Sequence, residues 1–165
     1  MDGIIIDDFE KENAWEDTAG NNIYYARYNY TLRLTKPLSE LILSNSKELT
    51  ALLINKEEKP GFLGLNDSLT AVSLVMQSSS WLSAQGQAGY EKLNEVIKDC
   101  LGCADFLYKG TEEQRKMRGS AFIYALVYFE DIGFKNNAKI GDKASRQVYS
   151  GFMKTENGWV PIASQ

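Results

Sequence analysis

Between residues 22 and 35 the chain reads NIYYARYNYTLRLT, and its side chains alternate in character. Tyr24, Ala26, Tyr28, Tyr30, Leu32 and Leu34 fall on one side; Ile23, Tyr25, Arg27, Asn29, Thr31 and Arg33 fall on the other. A period of two, rich in aromatic and β-branched residues, predicts a long strand with one wet face. Beyond Pro37 the period lengthens. Leu38, Leu41, Ile42, Leu49, Leu52 and Leu53 recur at helical spacing and predict a helix to about residue 55. Pro60, Gly61 and Gly64 then mark a loop over 55–67. Asp67 reads as the N-cap of a second helix through Leu82, with Leu69, Val72, Val75, Met76 and Ser79 inward. TAVSLVM within it admits a strand as the alternative. Apolar positions 90, 93, 97, 100, 101, 104, 107 and 108 predict a third helix from Tyr90 to Tyr108, with Gly110 placed as its C-terminal cap.

The second half returns to strand-like patterns. SAFIYALVYFE, residues 120–130, is apolar on both faces and reads as a central strand. ASRQVYSGFMKTE, residues 144–156, is expected to pair with it. Asn157-Gly158 is a strong hairpin signal, because both central positions of a type I′ turn need positive φ. The chain is therefore expected to reverse there and return along WVPI, with Pro161 confining that strand to an edge. At the other end, Ile4, Ile5, Ile6, Phe9 and Trp15 are interleaved with acids. Residues 1–20 read as a short helix or an arm, docked because such side chains are costly to leave in water.

These elements predict the α+β class: a single antiparallel sheet of about four strands packed on about three helices. The expected organisation is an acidic N-terminal segment, residues 1–20, followed by one domain over 21–165. The ending formed by a long strand, Asn-Gly, Trp159 and a short strand resembles that of nuclear-transport-factor-two-like domains. The resemblance covers residues 120–162. It implies a curved sheet wrapped around helices into a cone with a pocket. Its enzymes generally use His, Asp or Tyr within the cone, whereas many members only bind ligands or proteins. The family usually begins with helices, whereas here a strand at 22–35 precedes them.

Charge refines the picture. The chain carries 22 acids and 18 bases, a net charge of −4. Residues 1–20 hold seven acids against Lys11, so the remainder is nearly balanced. Nucleic-acid binding draws its affinity from a cationic footprint, and none is visible, so no nucleic-acid partner is expected. Arg115, Lys116 and Arg118 follow Glu112 and Glu113 and read as a solvated helix face. No run approaches the roughly 18 apolar residues of a membrane span. The expected location is cytoplasmic, with export after removal of a leader as the alternative.

The chain contains no His. That excludes Ser-His-Asp and Cys-His catalysis in their usual forms, and histidine-containing zinc sites. No phosphate-binding glycine motif is present, and no cofactor is expected. Cys100 and Cys103 fall inside the third helix, which reads as a pair of core thiols; a local disulfide or a redox pair is the alternative. Glu130 shares a strand face with Tyr124 and Tyr128 and is the candidate general base; a solvated strand-end acid is the bland alternative. Tyr24, Tyr28, Tyr30, Tyr124 and Tyr128, with Trp159, are the candidate binding residues, because such rings anchor interfaces; core rings with hydroxyls at the rim are the alternative. The expected function is a non-enzymatic binding or assembly module, an accessory subunit or immunity-type inhibitor. Its aromatic sheet face would contact a partner protein or a second copy. The alternative is a small cone-shaped enzyme or ligand binder using Tyr and Glu130.

Overall fold

In the computed structural model, which describes residues 3–16, 22–54, 67–156 and 158–162, the alternating stretch forms a strand as expected. The described residues up to Thr35, with those from Gly141 onward, make one compact unit; Lys36–Ile140 makes a second. The class is α+β.

The first unit is one antiparallel sheet. Strands β1 (Ile4–Glu16), β2 (Ile23–Leu34), β3 (Lys143–Thr155) and β4 (Gly158–Ile162) lie in the order β1-β2-β3-β4. Residues 4–16 are thus neither a helix nor an arm, but a strand along the edge of the sheet. The misleading signal is the spacing of Ile6 and Phe9. They stand three residues apart, as on a helix, yet lie opposite Leu32 and Tyr30 on one sheet face. The register slips between Ile6 and Asp8, and again between Lys11 and Asn13. Each bulge inserts one residue and resets the alternation.

Strand β3 pairs with β2 from Ile23↔Met153 to Arg33↔Lys143, not with residues 120–130. Strands β3 and β4 form the expected terminal hairpin, but Thr155 pairs with Gly158. Gly158 therefore closes the reversal, at φ 115°, instead of standing at its centre. Asn157 lies outside the described residues.

The second unit is helical: α1 (Leu38–Ile54), α2 (Asp67–Gln85), α3 (Gln87–Lys98), α4 (Cys103–Tyr108) and α5 (Glu112–Asp131). Of the loop expected over 55–67, residues 55–66 lie outside the described residues, and Asp67 opens α2. Five helices stand among the described residues where about three were expected, for two reasons. First, residues 120–130 are helical. Thr111 Oγ1 accepts the Gln114 amide at 3.3 Å, and Gln114 Oε1 accepts the Thr111 amide at 3.1 Å. This capping box starts a helix that runs to Asp131. The helix is apolar on most sides because Ser120–Ile123, Ala125, Leu126 and Phe129 are all buried. Second, the helix expected over 90–108 breaks at Asp99–Gly102. Gly102 has φ 91° and ψ −3°, the conformation that the third position of a type II turn requires.

Within this unit α1 and α5 make the most extensive helix contact. Leu38, Leu41 and Ile42 of α1 and Phe122, Leu126 and Phe129 of α5 are fully buried. Each such side chain contributes roughly 1.5–3 kcal/mol on burial. The buried hydroxyls are satisfied along their own helices: Ser46 donates to the Ile42 carbonyl at 2.5 Å and Thr50 to the Ser46 carbonyl at 2.7 Å.

Candidate functional site

The sheet register sorts the side chains onto two unlike faces. Tyr24, Tyr28 and Tyr30 lie on one face, joined from neighbouring strands by Phe9, Phe152 and Trp159. Cross-strand rings meet there: Phe9 and Tyr28 have centroids 5.4 Å apart, and Tyr24 and Trp159 5.7 Å. Lys11 Nζ stands 5.4 Å over the Tyr24 ring, and Lys154 Nζ 6.0 Å over Trp159. Phe9 is 62% exposed and Trp159 51%, while the three tyrosines are half-buried. Large rings held on a rigid ladder with this much area in water are the usual anchors of recognition surfaces.

The opposite face is a polar lattice. The two bulges place acids there. Asp7 accepts from Arg33 Nε at 3.0 Å and pairs with Lys143; Glu12 pairs with Arg27 at 2.5 Å and accepts from Asn29. Gln147 links on to Asn29 at 3.2 Å, and the Tyr149 hydroxyl donates to Gln147 at 3.3 Å. Lys143 first, and Arg33 after it, hold the Asp7 carboxyl below the ordinary carboxylate range. Trp15 stacks on Tyr25 at 5.9 Å and meets Tyr149 edge-on at 6.4 Å. The Tyr25 ring also covers Gly151, where an added Cβ would stand 3.3 Å from it. Sequence reasoning missed the ring cluster on this side. Its signal was the apolar Trp15 in a phase reset by the bulges.

Both outer strands are poor templates for a further strand. β1 carries two bulges and five acids along its length, and β4 is five residues long and contains Pro161. These are the usual defences of a sheet edge. Association through a face is left as the more available route.

Tyr124 and Tyr128 are not on the sheet, as the sequence pattern had suggested. They lie on α5, four residues apart, in a cleft with Trp81. Glu130 does not share a face with them either. Its Oε1 accepts from Lys92 Nζ at 2.8 Å, and that ammonium sits 5.7 Å over the Trp81 ring.

The cysteines are likewise not a pair of helical core thiols. Cys100 lies within the break between α3 and α4, Cys103 opens α4, and the two form a disulfide. Cys103 is fully buried, and Cys100 is partly so. Ser39, Glu40, Asp99 and Cys100 line a shallow cleft beside it. Nearby carboxylates oppose thiolate formation, so the surroundings suit a structural bond better than a reactive one. No helix among the described residues is long and apolar enough to cross a membrane.

No protein-family model matches the chain, and neither a curated protein nor a solved structure matches it.

Proposed function

We propose that the chain is a non-enzymatic protein-binding or assembly module whose contact surface is the sheet face bearing Phe9, Tyr24, Tyr28, Tyr30 and Trp159. The observation that carries this reading is the exposure of Phe9 and Trp159 on the face that also holds the tyrosine row. Burial of such rings against a partner recovers area that now meets water. The guarded edges of β1 and β4 support docking through the face over strand addition. A protein partner is favoured over nucleic acid. The net charge of −4 argues against a phosphate backbone as the ligand, because counterion release needs cations. The disulfide supports an oxidising compartment, and so the exported alternative over the cytoplasmic one.

The test compares the wild type with a Phe9→Ser/Trp159→Ser double variant. Solution mass across a concentration series reads self-association; affinity capture from native lysate reads a partner. The reading requires one of these to be present in the wild type and lost in a variant with an unchanged circular dichroism spectrum. Association that survives the double variant would place the contact elsewhere.

A further inference from the structure

The two faces of the sheet hold their cations differently. On the polar face Arg27 is held by Glu12, and Arg33 and Lys143 by Asp7, so charge meets charge. On the ring face Lys11 rests on Tyr24 and Lys154 on Trp159. A ring attracts a cation through its quadrupole but carries no net charge, so each ammonium keeps its full unit of charge. Both lysines are exposed. Tyr24 and Trp159 are themselves neighbours, with centroids 5.7 Å apart, so the two ammoniums belong to one patch. The register also sets Arg146 on this face, opposite Tyr30. Among the described residues it sets one acid there, Glu16, opposite Tyr24. Asp8 and Glu10 stand opposite Thr31 and Asn29, on the polar face. The ring face is thus locally positive on a chain whose net charge is −4.

That sign selects among occupants. A second copy docked face to face would set the same lysines against each other, at a cost in affinity. Nucleic acid needs a broader cationic footprint than this face offers, and the rest of the chain repels it. A small inorganic anion would leave Phe9 and Trp159 in water. An acidic segment that also carries apolar side chains satisfies both the charge and the rings.

We propose that the ring face takes an acidic segment of another protein, with its carboxylates beside Lys11 and Lys154 and its apolar side chains on Phe9 and Trp159. This rests on the reading of that face as the contact surface. Short random peptides displayed on phage are selected on the intact chain, and the enriched peptides are synthesised. They should be rich in Asp and Glu as well as in apolar residues, and their affinity should fall as salt is raised. Lys11→Glu/Lys154→Glu should weaken them about tenfold or more, and Lys11→Gln/Lys154→Gln by less. Lys98→Glu/Lys116→Glu, at exposed helix positions, changes the net charge equally and should leave the affinity nearly unchanged. Binding lost in Phe9→Ser/Trp159→Ser but kept in both Lys11/Lys154 variants would overturn the proposal and spare the contact face. Binding kept in all of these variants would remove both. Neutral or basic selected peptides, or no enrichment at all, would also overturn the proposal. So would self-association of the wild type that the ring variant abolishes, or tighter binding of a single-stranded oligonucleotide. Every substituted residue is exposed, so the variants are expected to fold, and circular dichroism checks that they do.

Discussion

Lys92 and Glu130 meet at 2.8 Å, Nζ to Oε1, and the contact ties α3 to the last turn of α5. Both side chains retain some exposure, 32% and 22%. The pair is therefore screened, and Glu130→Gln is expected to lower stability by about 0.5–1 kcal/mol. Denaturant titration reads this directly. A loss of several kcal/mol would mean that the pair is far better shielded than its exposure indicates.

The Cys100–Cys103 bridge closes a very short loop. In the chain-entropy account a closure of this length contributes about 2 kcal/mol. Unfolding in denaturant with and without a reductant should show a difference of that order. The Cys100→Ser/Cys103→Ser variant should match the reduced protein. Alkylation of the native chain followed by mass measurement should find both thiols blocked by the bridge. Two alkylated thiols in the unreduced protein would rule the bridge out.

Asp7 links stability to pH. Its carboxyl is depressed in the folded state by Lys143 and Arg33. A depressed acid stabilises the fold at pH values above its unfolded pKa, near about 3.9, and that contribution is lost as the pH falls through the folded value. Stability should therefore decline on acidification from about pH 5 downward. In Asp7→Asn this part of the acid limb should flatten, while the remaining acids keep theirs. Parallel limbs in the two proteins, measured by denaturant midpoints across pH, would remove Asp7 as a cause.

What the sequence conveyed depended on whether a local period survived. Tyr24 to Leu34 alternates without interruption, and the strand was legible to within a residue. Leu38, Leu41 and Ile42 made α1 legible in the same way. In β1 the period was broken by Asp7 and Glu12, and the insertion of Asp7 puts Ile6 and Phe9 on one face at a helix-like spacing. In α5 the opposite happened. A helix buried nearly all round has no polar stripe, so SAFIYALVYFE fits a central strand equally well. The deciding signal lay nine and six residues upstream, in Thr111 and Gln114. Four of the six candidate rings followed the first outcome and two the second. Tyr24, Tyr28, Tyr30 and Trp159 share a sheet face as expected, whereas Tyr124 and Tyr128 went with α5 to a different cleft.

The sheet face makes the sharpest prediction, because its rings and the helical core should respond oppositely to the same kind of truncation. Phe122 is 1% exposed, and Phe122→Ala should cost roughly 3–5 kcal/mol of stability. Phe9 and Trp159 keep half or more of their surface in water, so Phe9→Ala and Trp159→Ala should each cost less than about 1 kcal/mol. If these two rings anchor a partner, each truncation should weaken the association by about 2 kcal/mol or more, roughly a thirtyfold loss of affinity. Tyr28, half-buried against Phe9, should fall between, losing both stability and affinity on truncation. Thermal unfolding gives the first quantity for all four variants, and binding or self-association isotherms give the second. A large stability loss at Trp159 with unchanged association would make the ring part of a core, and the face would lose its claim as the contact surface.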